Sequence, residues 1–526
     1  MPAHLAVNDD AEHSDGRSSS PHSIQGSRYT FKSLLATVRS RKKRGGDDRS
    51  GQLDQQRHQS AQYKYAKAEG QRGTQAYIGT VLGAGMLTMP LALSRMGIVL
   101  GTIVILWAGL TAGFGLYLQT RCARYLDRGA SSFFALSQIT YPNAAVIFDA
   151  AIAIKCFGVS VSYLMIIGGL MPGVVQGFNE DAGGFGFLVD RRFWITAFML
   201  VVIPTAFLRR LNSLKYVSVV ALISVGYLVI FVVVHFVKGD TKQDRGEVRV
   251  TQPASAVAVL SSFPVIVFGF TCHQNMFSIM NEIGNNSQVR TTAVVFAGIG
   301  ASATLYVLVA ITGYLSFGSA VGGNIIAMYP PSTSSTIGKA AIVTLVTCSY
   351  ALQVHPCRAS VDAVLKWRPR RSADSANHSP SRSSLLSNSS TKPKGEGMSE
   401  LRFAAITTGI IVLGYIVAMT VSSLEKVLAY VGSTGSTAIS FILPGLFYYK
   451  ISSPESPHHQ KLMKLDDDED DGSGSEEDGL LGGSRLKSGV WRRKLLRRLS
   501  LALAVYGFIV MITCLITNTI FVVAPH

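Results

Sequence analysis

A chain of 526 residues, 48% of them hydrophobic and 15% charged, with the apolar residues gathered in long blocks, is no ordinary soluble globule and belongs in a membrane. Its net charge of +17 does not point to nucleic acid, because the Lys and Arg sit in tails and in loops beside the apolar blocks, where they set orientation. The six cysteines all fall within or at the ends of those blocks, so no disulfide framework is expected.

Residues 1–73 lack a continuous apolar core and read as a disordered, basic cytosolic tail rather than a cleavable signal, leaving the first span to direct insertion. Phe31, Leu34, Leu35 and Val38 follow helical spacing just before Arg41-Lys42-Lys43-Arg44, so this tail either stays flexible or lies on an anionic leaflet. Apolar windows of span length then begin near Thr74, Ile98, Ala144, Phe193, Leu214, Ala254, Val289, Ser335, Leu401, Val427 and Leu499. The expectation is an all-α integral membrane protein with about eleven transmembrane helices.

Helices one to eight occupy 74–368, nine and ten occupy 400–450, and the eleventh with a short non-cytosolic end occupies 491–526. Between them, 369–399 (Ser-rich and basic) and 451–490, with its acidic run Asp466 to Asp471, read as disordered cytosolic loops. A cytosolic amino terminus puts about 39 of the 49 Lys and Arg on the cytosolic side and about nine on the other, with Lys155 inside a span. The short connections agree. Arg121, Arg124 and Arg128 follow the second span, Arg209, Arg210 and Lys215 follow the fourth, and the connection from Gly318 to Ser334 carries no charge. An odd number of spans places the termini in opposite compartments, and the sequons at Asn285 and Asn388 fall on the cytosolic side.

Three spans are interrupted: the first from Gly79 to Pro90, the sixth from Phe263 to Asn275, and the tenth from Tyr430 to Thr437. Lipid cannot satisfy a frayed backbone, so breaks at membrane depth survive where protein or a hydrated cavity surrounds them. The first and sixth spans hold corresponding places in two five-span halves of opposite direction, which points to a midplane site. Helix amino termini at Thr80, Gly83, Ala84 and Gly85 would offer amides to a carboxylate, and carbonyls along Phe268, Gly269, Phe270 and Thr271 would accept from an ammonium. An α-amino acid carries both groups. The competing reading of the glycines is close helix packing.

Lys155 is a cation inside the third span and needs a partner, hydration or an escape to an interface. At about 100° per residue it shares a stripe with Gly158, Ser162 and Gly169, which turns it toward the bundle. His273, beside the sixth-span interruption, either exchanges protons or serves as a hydrogen-bonded structural residue. Asp149 lies six positions from Lys155 on a different face and is not expected to pair with it. No Walker loop, His-Glu-x-x-His, Gly-x-Ser-x-Gly or Cys-x-x-Cys motif occurs, so neither an enzyme nor a cofactor is expected, and uphill movement would draw on an ion gradient. Glu476 with Leu480 and Leu481 has the form of an acidic dileucine signal for a sorting adaptor.

The runs Gly83 to Pro90, Lys155 to Leu164, Cys272 to Asn275 and Gly432 to Thr437 resemble motifs of the amino acid/auxin permease family, within the amino acid–polyamine–organocation superfamily, and most closely its fungal vacuolar amino acid transporters. That resemblance extends over about residues 74 to 450. It implies a LeuT-like 5+5 inverted repeat plus one extra helix, alternating access, and proton-coupled export of neutral amino acids from vacuole to cytosol. Sodium-coupled relatives place Asn where this chain has Gly79, which favours protons, although Thr347 and Ser349 in the eighth span offer hydroxyls to an ion. Relatives also carry an acidic residue where Gly169 stands, which removes a partner for a lysine in the third span. The alternatives are a non-transporting amino acid sensor at the vacuolar membrane, read through the amino-terminal tail, and the same carrier placed in the plasma membrane.

Overall fold

The computed structural model describes residues 83–126, 131–178, 184, 186–208, 214–282, 287–366, 398–460 and 482–522. Among them every regular element is a helix. Nine helices are long and apolar enough to cross a membrane, and they match nine of the expected spans. Two are shorter. The fourth-span helix, Arg191–Ala206, has 16 residues and reaches about 24 Å, and the described part of the first, Ala84–Met96, has 13 residues and reaches about 20 Å. The helix of the eleventh span begins at Gly482, ahead of the expected start at 491, so the segment 451–490 has a helical end.

The hydrogen bonds at the helix ends sort into two sets. In one, Ile98 and Val99 donate their amides to Arg249 and Val250, Ala254 donates to Arg95, Gly246 donates to Phe317, and Arg95 pairs with Glu425. Arg191 there donates to the carbonyls of Ala418 and Val421 at 2.8 and 2.9 Å. In the other, Gln288 reaches Thr120, Tyr125 meets His459, Arg358 donates to Ala206 and Thr407, and Arg402 pairs with Asp362. Each end falls in the set that eleven alternating crossings require. Gly97 makes the turn between the first and second spans at φ 79°, where a Cβ would also stand 3.1 and 3.2 Å from the carbonyls of Gln252 and Val250.

The third and eighth spans, Ala145–Phe178 and Thr333–Lys366, are 34 residues each, hold corresponding places in the two halves and pack along one another. The first and sixth spans pack together, and the tenth lies against both the sixth and the third. Burial separates the last two spans: 78% of the tenth's apolar stretch is buried against 28% of the eleventh's, so the eleventh is the peripheral helix.

The three interruptions differ in kind. The first-span helix starts at Ala84 after an extended Gly83 (φ −147°, ψ −145°), and the residues before it lie outside those described. The sixth span is broken outright, with Ala256–Gly269 ending and His273–Glu282 starting on either side of Phe270, Thr271 and Cys272. The tenth is not broken. It widens into π-helical turns at Gly432–Ser436 and Ala438–Ile442, with the Thr437 hydroxyl bonded five residues back to Gly432, because its glycines admit the wider turn without exposing the backbone.

Candidate substrate site

The two facing interruptions meet. A Cβ built on Gly85 would lie 2.7 Å from Gly269 Cα and 3.6 Å from the Phe268 ring, so the first turn of the first-span helix rests on the end of the sixth-span half-helix. Ala84 is 3% exposed, which places that turn deep in the bundle, with the Met86 amide bonded back to the Gly83 carbonyl at 3.1 Å. A Cβ on Gly83 would stand 3.9 Å from the Tyr163 hydroxyl of the third span, and the Gln353 side chain of the eighth reaches the same hydroxyl. Thr80 lies outside the described residues.

On the sixth-span side, the Phe268 carbonyl takes the Thr271 amide at 3.0 Å, and the Gly269 carbonyl takes the Tyr306 hydroxyl of the seventh span at 2.7 Å. Phe270 is fully buried and turns away from the first span, edge-on to Tyr306 and against Gly109 of the second. Thr271 turns to the tenth span: its hydroxyl bonds the Val267 carbonyl at 2.8 Å and meets Ser440 Oγ at 3.1 Å. The structure therefore joins Gly83, Ala84 and Gly85 with Phe268 and Gly269, and directs the side chains of Phe270 and Thr271 elsewhere. The crossing is closed, with backbone on backbone where a solute would sit.

His273 is completely buried and held from three sides. Its Nε2 lies 3.2 Å from the Ala112 carbonyl, its Nδ1 lies 3.3 Å from Ser440 Oγ, and its own carbonyl accepts from Gln119 at 2.9 Å. The Ala112 carbonyl only accepts, so Nε2 carries a proton, while Nδ1 accepts from the Ser440 hydroxyl when the ring is neutral and donates to it when the ring is charged. That arrangement ties the sixth-span break to the second and tenth spans.

Lys155 is 3% exposed and packs at the π-helical turn, where a Cβ on Gly435 would stand 2.7 Å from Lys155 Cβ. Cys272 and His273 of the sixth-span break lie within the electrostatic reach of its ammonium. Among the described residues no carboxylate pairs with it, and Asp149, also buried, makes no ion pair either. The expected stripe holds for Gly158 and Ser162, which are buried, and fails at Gly169, which is exposed with nothing within 4 Å of its Cβ position. The Thr347 hydroxyl bonds back to Val343 at 2.7 Å, and Ser349 is buried without a hydrogen bond among the described residues. Glu476, Leu480 and Leu481 lie outside those residues.

Tyr306, Ser440 and Tyr163 were not singled out in the sequence reading: each is one of several hydroxyls in its span, and nothing local marks the one that reaches the break.

The sequence matches the family described as "Transmembrane amino acid transporter protein" over residues 71–466. It is 42% identical to the vacuolar amino acid transporter 5 of Schizosaccharomyces pombe, covering 84% of this chain and 91% of that one. To the vacuolar amino acid transporter 6 of Saccharomyces cerevisiae it is 37% identical, covering 84% and 97%. The human sodium-coupled neutral amino acid transporter 7 is 28% identical over 55% of this chain and 65% of its own. Among solved structures, a crystal structure of MhsT in complex with L-phenylalanine superposes with a TM-score of 0.52 at 11% identity, covering 85% of this chain and 98% of that one. The fold is thus the LeuT-like one that the paired halves and facing interruptions describe. With the match covering the first ten spans, this chain belongs to the transmembrane amino acid transporter family, whose members are carriers and not enzymes.

Proposed function

We propose that this protein is a carrier of the vacuolar membrane that moves neutral amino acids together with a proton from the lumen to the cytosol by alternating access. The observation that carries the reading is the unwound segment Phe270 to Cys272 set beside the buried first turn at Ala84 and Gly85. The first turn supplies amides and the positive end of a helix dipole for a carboxylate, and the Gly269 carbonyl supplies an acceptor for an ammonium. Relatives named as vacuolar transporters support the compartment, and the Lys and Arg bias supports a cytosolic amino terminus with a luminal carboxyl end.

Proton coupling is favoured by Lys155, a cation buried against the π-helical turn of the tenth span, and by Thr347, whose hydroxyl is already engaged by its own helix. On the face assigned to the lumen, Arg95 at the end of the first span pairs with Glu425 at the start of the tenth. Glu425 of that pair also lies with Thr88, Leu91, Ala92, Ser262 and Val265, where the first, sixth and tenth spans close on one another. In reconstituted liposomes, an imposed pH gradient is expected to accelerate amino acid flux. Flux indifferent to the gradient would rule out the proton.

Tyr306 makes a sharper prediction. Its hydroxyl occupies one of the two lone pairs of the carbonyl offered to the substrate ammonium, so it competes there with a hydrogen bond worth about 0.5–1.5 kcal/mol. Tyr306→Phe keeps the ring that packs on Phe270 and frees the carbonyl. KM is expected to fall roughly two- to tenfold. A rise in KM would mean that Tyr306 holds the site in its binding form instead of competing for it.

A further inference from the structure

A second cation lies buried in the bundle. Lys339, two turns into the eighth span, is 5% exposed, and its one hydrogen bond is a long one, 3.4 Å from Nζ to the Tyr329 carbonyl. Among the described residues no carboxylate pairs with it. Lysine side chains on a helix lean toward the helix amino terminus, which carries this ammonium back over the turn formed by Ser335 and Thr336. Those two side chains are 0% and 2% exposed, and neither hydroxyl has a hydrogen-bond partner among the described residues.

The opposite wall is bare backbone. A Cβ on Gly173 of the third span would stand 3.3 Å from Lys339 Nζ, and one on Gly177 would overlap the Thr336 hydroxyl. These glycines admit the lysine and the threonine and present no acceptor side chain of their own. The nearby acid is already engaged: Asp240 is held by His235 Nδ1 at 2.6 Å. The Tyr329 hydroxyl turns toward Ser316. One ammonium and two unpartnered hydroxyls, all buried on the first turns of one helix, can each donate to an anion, and the positive end of the helix dipole favours it.

We propose that Lys339, Ser335 and Thr336 bind a compact monovalent anion at the end of the eighth span that shares a face with Met96 and Glu425. A halide and the carboxylate of a small organic acid satisfy the same chemistry. The site is separate from the Gly85–Gly269 crossing and does not depend on what ion drives transport.

The test is thermal unfolding of the purified full-length protein in detergent, against a background of a bulky sulfonate salt, with sodium chloride, bromide or acetate added at constant ionic strength. At least one of these is expected to raise Tm by roughly 1–3 °C. Lys339→Gln should abolish the rise and Lys339→Arg should retain it. Ser335→Ala combined with Thr336→Val keeps the cation, and should raise the half-saturating anion concentration roughly fivefold even where the Gln variant fails to fold. A response to halides alone identifies an inorganic anion, and a response to acetate identifies a carboxylate. The proposal is overturned if none of the three salts raises Tm, or if Lys339→Gln or the double variant responds as wild type does. Because the readout is binding, a carrier that proves indifferent to pH leaves this result standing.

Discussion

Lys155→Ala is expected to lower gradient-driven amino acid flux by on the order of 100-fold. A lysine at the centre of a span costs about 2.5–3.5 kcal/mol to insert, and a chain that keeps one buried at 3% exposure holds that energy in reserve for a partner or a proton. The same energy, spent at the barrier of the transport step, corresponds to about two powers of ten in rate. Lys155 is placed to spend it, since the Cβ position of Gly435 at the tenth-span π-helical turn abuts it and Cys272 and His273 of the unwound segment lie within reach of its charge. Two assays on the same liposomes separate coupling from collapse. Exchange of labelled for unlabelled amino acid at equal pH tests the binding site, and net uphill uptake under a pH gradient tests the drive. Loss of uptake with exchange retained assigns the lysine to coupling. Wild-type uptake in the alanine variant would reduce it to a packing residue that snorkels.

The spans were legible because each buries enough apolar length to be read against the bilayer, and the sixth-span break because Gly269 and the polar run after it interrupt an otherwise apolar stretch. Side-chain direction was not legible. Phe270 and Thr271 sit between Gly269 and His273, yet they point to the second and tenth spans, because unwinding the helix rotates each residue by an amount that no periodicity fixes. His273 is satisfied by Ala112 and Ser440, more than 150 positions away on either side, so its role rested on a pairing the local sequence does not contain. Lys339 escaped for a different reason. It stands near the start of its span, where the charge tally counted it among residues outside the membrane, and only the glycine wall of the third span shows that it is enclosed. Gly169 erred the other way: the stripe assumed an unchanging rotation along a helix of 34 residues that has Pro172 inside it.

Gly85→Ala is expected to lower maximal transport roughly 10- to 100-fold while tightening apparent amino acid binding, because the closed form that it destabilises competes with the substrate. The new Cβ would stand 2.7 Å from Gly269 Cα, a distance that real Cβ atoms do not show, and the atom it meets belongs to a backbone that cannot swing aside. Forcing extra bulk into a packed contact costs about 1–3 kcal/mol. That cost falls on one state only. With the crossing closed, Gly85 and Gly269 touch; with a substrate between them, the two backbones must already be apart, and the added methyl has room. The substitution therefore taxes the closed form, which the carrier has to pass through to return empty. Gly83→Ala supplies the comparison, since among the described residues its Cβ would meet nothing closer than the Tyr163 hydroxyl at 3.9 Å and its φ of −147° lies outside the left-handed region. Binding measured with labelled amino acid on detergent-solubilised protein, beside initial rates in liposomes, separates the two effects. If Gly85→Ala carries amino acid at the wild-type rate, the contact seen here is not a state the carrier visits, and the site must open and close by some motion that keeps the first and sixth spans apart.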